Sequence, residues 1–138
     1  MANGAEHVRA AFARQGFARL LGSRVVLAEA GRCVIECPAR DELTQHHGHV
    51  HAGVLTTLAD NACGFAAMTL MPEGAEPLSV EFKMSFLRPA RGVLAVARAE
   101  VVKPGRTLTF CRADVAMRDE AGAETLVASM TATMIAAG

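Results

Sequence analysis

The sequence predicts an α+β fold in which an antiparallel β-sheet wraps around one long central helix. Apolar residues recur at helical spacing between Ala52 and Met71, in the middle of the chain. Four strand-like runs joined by short turns follow, and short turns require antiparallel pairing because parallel neighbours need long crossovers. A sheet covered on one face by an apolar helix is a two-layer domain, which we expect to be single and to span residues 1–138.

The first 21 residues are Ala-rich and have the pattern of one N-terminal helix. Such a helix packs Val8, Phe12 and Leu20 or Leu21 onto the domain. It lacks the continuous apolar core of a secretory signal.

The remaining segments follow in a regular order. Two strand-like runs, 24–29 and 32–37, and a polar, aperiodic loop, 40–50, precede the central helix. Four longer strands follow it, over residues 78–86, 93–102, 108–117 and 125–135. The run 78–86 shows the clearest alternation of apolar and polar residues, which is typical of a strand. The run 93–102 is apolar on both faces, which favours a second copy of the chain covering its outer face.

The central helix carries an unusual carboxylate. Its apolar stripe comprises Leu55, Leu58, Ala62, Phe65 and Thr69. Asp60 lies on a different, small and polar face, and a carboxylate buried there costs several kcal/mol unless it is paired. The start of the helix, at Ala52 and Gly53, offers unpaired backbone N–H groups that stabilise a developing oxyanion. Asp60 is therefore a candidate catalytic group, and a helix Asp that bonds a neighbouring Thr is the alternative.

The spacing of these two features constrains the site. Nine positions separate His51 from Asp60, which is about 13 Å along a helix. One substrate carbonyl cannot contact groups that are this far apart. The carboxylate therefore either meets a helix N-terminus from another subunit, across a twofold interface, or is unrelated to it.

Composition excludes several classes of function. The 14 basic and 14 acidic residues cancel, so nothing favours nucleic acid or an anionic membrane surface, and no apolar stretch is long enough to span a bilayer. The four cysteines lack a CxxC pair and indicate a reducing, cytoplasmic location. Four clustered histidines lack the separated second pair of a zinc site, so no metal is expected; they are His46, His47, His49 and His51. No GxSxG motif is present.

The run HVHAGVLTTLADNACGFAA, with the strand LSVEFKMSFLRPARG and the turn KPGRTL, resembles the PaaI-like (phenylacetate-type) hotdog-fold thioesterases. The resemblance extends from about Gln45 to the C-terminus and implies the hotdog fold. It implies hydrolysis of an aryl- or medium-chain acyl-CoA to the free acid and CoA, without a metal or redox cofactor. It also implies a homodimer, or a homotetramer, with sites at the subunit interface.

The resemblance also implies roles for individual residues. Asp60 stands at the catalytic carboxylate, acting as base or nucleophile, and His51 at the motif histidine. Ala52 replaces the Gly whose backbone N–H forms the oxyanion hole. Gln45 stands at a position that assists at the thioester or positions the water, and Ser79 at one that bonds the attacking water or the carboxylate. Gly53 is a further expected contact to coenzyme A. From their charge alone, the turn residues Arg88, Lys103 and Arg106 are expected contacts to its phosphates, and turn residues that are merely solvated are the alternative.

Two other functions remain open. A hotdog hydratase or dehydratase needs a catalytic His in a Pro-containing loop, and this chain has no Pro between Pro38 and Pro72. A non-catalytic acyl-CoA-binding protein is disfavoured because Asp60, Gln45 and Ser79 are all present.

Overall fold

The computed structural model describes residues 4–137; residues 1–3, where the predicted N-terminal helix begins, and residue 138 lie outside the described part. The elements are α1 (Gly4–Ala13), α2 (Gly16–Leu21), β1 (Arg24–Glu29), β2 (Arg32–Pro38), a 3₁₀ turn (Asp41–Leu43), α3 (Ala52–Met68), β3 (Glu76–Phe86), β4 (Leu94–Lys103), β5 (Leu108–Arg118) and β6 (Glu124–Ala137). The predicted succession of two strands, a long helix and four strands is confirmed.

The strands of residues 4–137 form one six-stranded sheet in the order β1-β2-β4-β5-β6-β3. Each neighbouring pair is antiparallel. Helix α3 packs across the concave face, mainly on β4, β2 and β5. This arrangement confirms the predicted α+β hotdog fold. It leaves β3 as an edge strand that pairs only with β6 in one chain.

Small residues allow α3 to lie close to the sheet. The apolar members of the predicted stripe are buried, with Leu58 and Ala62 fully inaccessible, and Thr69 is half-buried. The sheet residues under the helix include Ala97 and Ala113, which are also buried. Because alanine side chains occupy little space, the helix and strands can approach closely at these positions, and larger side chains such as Ile35, Met117 and Met130 fill the rest of the core.

The four cysteines are free and buried, as expected of small apolar residues. Burial raises the pKa of the Cys33 thiol to about 12 and that of Cys111 to about 11. Burial also raises the pKa of Cys37 and Cys63. These thiols are therefore protonated and unreactive at neutral pH.

The prediction of one N-terminal helix over residues 1–21 is wrong, because the helix is divided at Gln15. That residue has extended backbone angles (φ −84°, ψ 106°) and precedes Gly16, which has a low helix propensity. Of the two leucines at the end of α2, Leu21 is buried, whereas Leu20 is 68% exposed.

The central helix ends three residues earlier than the predicted Met71. The hydroxyl of Thr69 donates to the carbonyl of Ala66 and accepts a hydrogen bond from the N–H of Gly31 at 2.8 Å. A threonine side chain that bonds the backbone in this way competes with helical hydrogen bonding. The helix therefore ends where its last turn is tied to the β1–β2 turn.

Candidate active site

Asp60 lies on the face of α3 that points away from the core, and it is half-buried. The hydroxyl of Ser79 on β3 donates a hydrogen bond to Oδ1 of Asp60 at 2.6 Å. A hydrogen bond to a carboxylate at this distance is charge-assisted and stronger than one between neutral groups. The two side chains therefore hold each other in a defined orientation, with the second carboxylate oxygen left for another partner.

A β-bulge brings Ser79 to this position. Ser79 pairs with Met134 and Glu81 pairs with Thr133, so Val80 is an extra residue in β3. Residues directly opposite each other in a sheet share a face, and Met134 faces the helix side with Ala132, the partner of Phe82. Strict alternation would place Ser79 and Phe82 on opposite faces. The bulge puts both on the helix side, which bulges near functional sites commonly do.

A cavity of about 290 Å³ opens beside this pair. Phe65, Met68 and Pro77 supply apolar walls, and Gln15 and Asn61 supply polar ones; the remaining lining residues are Ala11, Arg14, Asp60, Gly64, Glu76, Ser79 and Met134. The cavity therefore places the Asp60 carboxylate next to a space that is apolar on one side and polar on the other.

The N-terminus of α3 has one N–H group without an acceptor. His51 caps the helix, with its Nδ1 accepting a hydrogen bond from the N–H of Gly53 at 2.8 Å. The carbonyl of His51 accepts from Val54 and Leu55. The N–H of Ala52 has no acceptor among residues 4–137, and Ala52 is exposed. Ala52, rather than Gly53, thus has the backbone N–H that the protein leaves free at the start of α3.

Gln45 organises the loop before α3. Its Oε1 accepts hydrogen bonds from the N–H groups of His47 and His49, at 2.5 and 3.2 Å. Its backbone N–H donates to the carbonyl of His49 at 2.8 Å. The side-chain Nε2 donates to no residue within 4–137, and Gln45 and Ala52 both line a second cavity of about 540 Å³. That cavity is therefore bordered by a residue with an unused amide donor and by the first residue of α3.

The predicted site residues fall into separate groups in one chain. Gln45 and Ala52 line the cavity at the start of α3, whereas Asp60 and Ser79 line the cavity farther along it. The eight positions between Ala52 and Asp60 correspond to about 12 Å along the helix. His51 and Gly53 line a third cavity, on another side of the helix start.

The three basic turn residues are also divided. Arg88 lines the cavity of Gln45 and Ala52, and its Nη1 donates to the carbonyl of Leu126 at 2.8 Å. Lys103 and Arg106 are exposed at the β4–β5 turn, at the opposite end of the sheet. One chain therefore does not bring these three cations to one place, because successive turns of an antiparallel sheet alternate between its ends.

Two residues next to Asp60 were not predicted as site residues. The side-chain amides of Gln15 and Asn61 bond each other, with Asn61 Nδ2 donating to Gln15 Oε1 at 2.8 Å. Asn61 was visible as a second polar residue beside Asp60 in an apolar helix. Gln15 gave no signal, because its approach to α3 depends on the break between α1 and α2.

The clustered histidines do not form a side-chain group suited to a metal ion. His46 and His47 contact each other, with ring centroids 4.1 Å apart. Residues 4–137 contain no set of three or more His, Cys, Asp or Glu side chains that could hold a metal ion. The same residues contain no helix long and apolar enough to cross a membrane.

Comparisons with known proteins identify the family of the chain. The sequence profile of the Thioesterase superfamily matches residues 47–125. Acyl-coenzyme A thioesterase 13 of Homo sapiens is 32% identical over 112 residues, which are 80% of this chain and 79% of that protein. A relative from Halobacterium salinarum is 37% identical over 67% of this chain, and the match spans 64% of that relative's length.

Solved structures show the same fold. A thioesterase family protein from Silicibacter pomeroyi superimposes with a TM-score of 0.94 at 47% identity, covering 96% of this chain and 97% of that one. The PaaI protein from the phenylacetic acid degradation operon of E. coli superimposes with a TM-score of 0.86 at 20% identity, covering 99% of this chain and 94% of that one. The chain therefore belongs to the thioesterase superfamily, and the predicted class of enzyme, a hydrolase acting on thioester bonds, is confirmed.

Proposed function

We propose that this protein hydrolyses an aryl- or medium-chain acyl-CoA, with Asp60 as the catalytic carboxylate. The observation that carries the proposal is the 2.6 Å hydrogen bond from Ser79 to Asp60 at the edge of a cavity. The similarity to acyl-coenzyme A thioesterase 13 supports coenzyme A as part of the substrate. The reaction needs no metal or redox cofactor.

The proposed site is completed by a second copy of the chain. Strand β3 is an edge of the sheet and carries exposed apolar side chains, with Leu78 59%, Val80 53% and Phe82 43% exposed. An edge with such side chains favours pairing with another strand. A β3–β3 pair about a twofold axis is isologous and gives two equal sites per dimer.

Strand β3 reaches both half-sites. Ser79, near its start, contacts Asp60, and Phe86, at its end, lines the cavity of Gln45 and Ala52. In an antiparallel β3–β3 pair centred between Ser79 and Phe86, the start of one strand lies opposite the end of the other. Asp60 of one subunit then meets the partner subunit's Ala52, which removes the separation of about 12 Å within one chain.

Each group has a step in the proposed mechanism. The Ala52 N–H and the Gln45 amide polarise the thioester carbonyl, and His51 keeps the helix start capped. Asp60 either removes a proton from water as the water attacks the carbonyl carbon, or attacks that carbon itself and is then released by water. In both cases the carbon–sulfur bond breaks, the sulfur of CoA leaves as the thiol after protonation, and the free acid is formed. Ser79 orients the carboxylate.

The coenzyme and the assembly extend the proposal. Arg88 lines the cavity of Gln45 and Ala52, whereas Lys103 and Arg106 lie at the other end of the sheet. All three supply positive charge for the coenzyme phosphates. Exposed apolar residues on the outer face of the sheet, such as Phe110, favour pairing of two dimers into a tetramer. The four free, buried thiols favour a reducing compartment such as the cytoplasm.

The test is free-thiol release from a panel of aryl- and fatty-acyl-CoAs by the native protein and by Asp60→Asn. We expect the variant to fold and to lose turnover. Asp114→Asn is a matched control, because Asp114 accepts a hydrogen bond from Ser129 at 2.9 Å on the outer face of the sheet. Equal rates in all three proteins would contradict the role of Asp60. Binding without turnover in the native protein would favour a non-catalytic acyl-CoA-binding protein.

A further inference from the structure

The cavity beside Asp60 has a polar end built by the N-terminal region. Gln15, between α1 and α2, and Asn61 on α3 join their side-chain amides across this end. The neighbouring Arg14 forms an ion pair with Glu76 at 3.0 Å, which ties the same segment to the start of β3. The segment between α1 and α2 is thus fastened to both elements that carry Asp60 and Ser79.

The amide pair keeps hydrogen-bonding capacity for a ligand. Asn61 Nδ2 donates to Gln15 Oε1 at 2.8 Å, and Gln15 Nε2 donates to Asn61 Oδ1 at 3.4 Å. A side-chain amide has two N–H donors and an oxygen with two lone pairs. Each amide therefore retains one N–H and one lone pair, and both side chains are only half-buried.

We propose that Gln15 and Asn61 select the acyl group by bonding a hydroxyl or similar uncharged polar group at its far end. This inference rests on the proposed function, and it concerns the part of the substrate beyond the thioester. An acyl chain that ends in a methyl group would cover these amides without bonding them. Covering an unpaired amide is unfavourable, so the site discriminates against such a chain.

The charges at the cavity favour an uncharged group. Asp60 contributes a negative charge, whereas Arg14 and Glu76 neutralise each other. A terminal carboxylate on the acyl group would add a second negative charge without an unpaired cation among the lining residues. Like charges at close distance repel, so a dicarboxylic acyl group is disfavoured.

The size of the cavity favours a compact acyl group. Its volume is about 290 Å³, at the lower end of the range for small-molecule sites. Phe65 and Met68 supply apolar wall for the hydrocarbon part of the acyl group, and Gln15 and Asn61 supply the polar part of the same cavity. The substrate class is therefore a short acyl-CoA with a neutral polar substituent far from the thioester.

The experiment compares three acyl-CoAs of equal chain length, hexanoyl-, 6-hydroxyhexanoyl- and adipoyl-CoA. We expect kcat/KM for the hydroxylated substrate to exceed that for hexanoyl-CoA about tenfold, the effect of one or two hydrogen bonds. Adipoyl-CoA should be the poorest. Gln15→Met and Asn61→Leu remove the amides at similar volume. In these variants, kcat/KM for 6-hydroxyhexanoyl-CoA and for hexanoyl-CoA should become about equal, because the hydroxyl then lacks its partners.

Arg19→Met is the control for loosening of the N-terminal region. Arg19 anchors this region by donating to the carbonyl of Ala13 at 2.7 Å, but it does not line the cavity. It should leave the preference unchanged. A role of Gln15 and Asn61 in structure alone would lower all rates equally, and that result would overturn the proposal. So would an equal change in KM for every acyl-CoA, which would place the amides at the coenzyme.

Calorimetric dissociation constants for the same three acyl-CoAs separate this inference from the proposed reaction. A tighter complex with 6-hydroxyhexanoyl-CoA that is lost in Asn61→Leu would support the acyl assignment even if no thiol were released, and the hydrolytic function alone would then fail. Turnover of all three substrates at equal kcat/KM would leave hydrolysis intact and overturn the assignment of Gln15 and Asn61.

Discussion

Replacement of Ala52 by proline removes one proposed oxyanion donor while leaving the helix intact. Ala52 is the first residue of α3, and its N–H has no acceptor among the described residues. Proline is well accommodated at this position, because it lacks only an N–H that the helix does not use. The preceding residue, His51, has φ −62° and ψ 141°, which are the extended angles that a residue before proline prefers.

The magnitude follows from this geometry. Loss of one oxyanion-hole donor lowers kcat about 100- to 1,000-fold, or roughly 2.7–4 kcal/mol of transition-state stabilisation. Stability should change little, because no hydrogen bond inside the chain is lost and proline restricts the unfolded chain. The expected result for Ala52→Pro is therefore a protein with an unchanged melting temperature and a greatly reduced kcat.

The assay is thiol release at saturating acyl-CoA, combined with thermal unfolding of the same samples. Ala52→Gly is the matched control, because glycine keeps the N–H and is the residue that the resemblance to the PaaI-like thioesterases implies here. It should retain native activity. An Ala52→Pro protein that folds and turns over at the native rate would refute the assignment of this N–H as the oxyanion donor.

Two further predictions test other parts of the molecule. Mixing Asp60→Asn with Ala52→Pro subunits should restore about a quarter of native activity. About half of the dimers are then mixed, and each mixed dimer contains one intact site of its two. Restored thiol release supports the shared site, and no restoration contradicts it. Hydrogen bonds from Arg98 and Arg118 lower the pKa of Glu124 from 4.5 to about 2. Because the pKa is lower in the folded state, this stabilisation is complete above pH 4.5 and is lost as the pH falls towards 2. Glu124→Gln should therefore lower the free energy of unfolding in urea by about 1 kcal/mol at pH 6, a value reduced for solvent screening. Near pH 2 the variant and the native protein should have equal stability. An equal loss at both pH values would contradict the ion-pair explanation.

The fold was predictable because its signals are local. The period of the apolar residues identified α3, and the alternation along 78–86 identified β3. The contact of Ser79 with Asp60 depends on a bulge at Val80 that alternation alone does not predict. A bulge is determined by pairing with β6, a strand about 50 residues away. Ser79 was therefore identified as a site residue from the resemblance to a known family and not from the alternation along the strand.

In the N-terminal region, tertiary contacts interrupt a helix that the local sequence pattern predicts. The Ala-rich pattern predicted one helix, yet Gln15 leaves the helix and bonds Asn61, 46 positions away. Helix propensity is a weak local preference of less than about 1 kcal/mol per residue. The reciprocal amide pair and the ion pair of Arg14 with Glu76 act together with Gly16 at this point. Tertiary contacts of this kind cannot be derived from spacing.

The length of α3 connects the fold to the assembly. A helix that covers a six-stranded sheet is long enough to separate its N-terminus from a carboxylate in its third turn by about 12 Å. A chain with both groups on one helix therefore cannot bring them to one carbonyl by itself. The free edge of β3 offers a twofold arrangement that joins the two half-sites, so dimerisation is a requirement of the proposed chemistry. A monomeric variant that kept full turnover would show that Asp60 and Ala52 do not act on the same substrate.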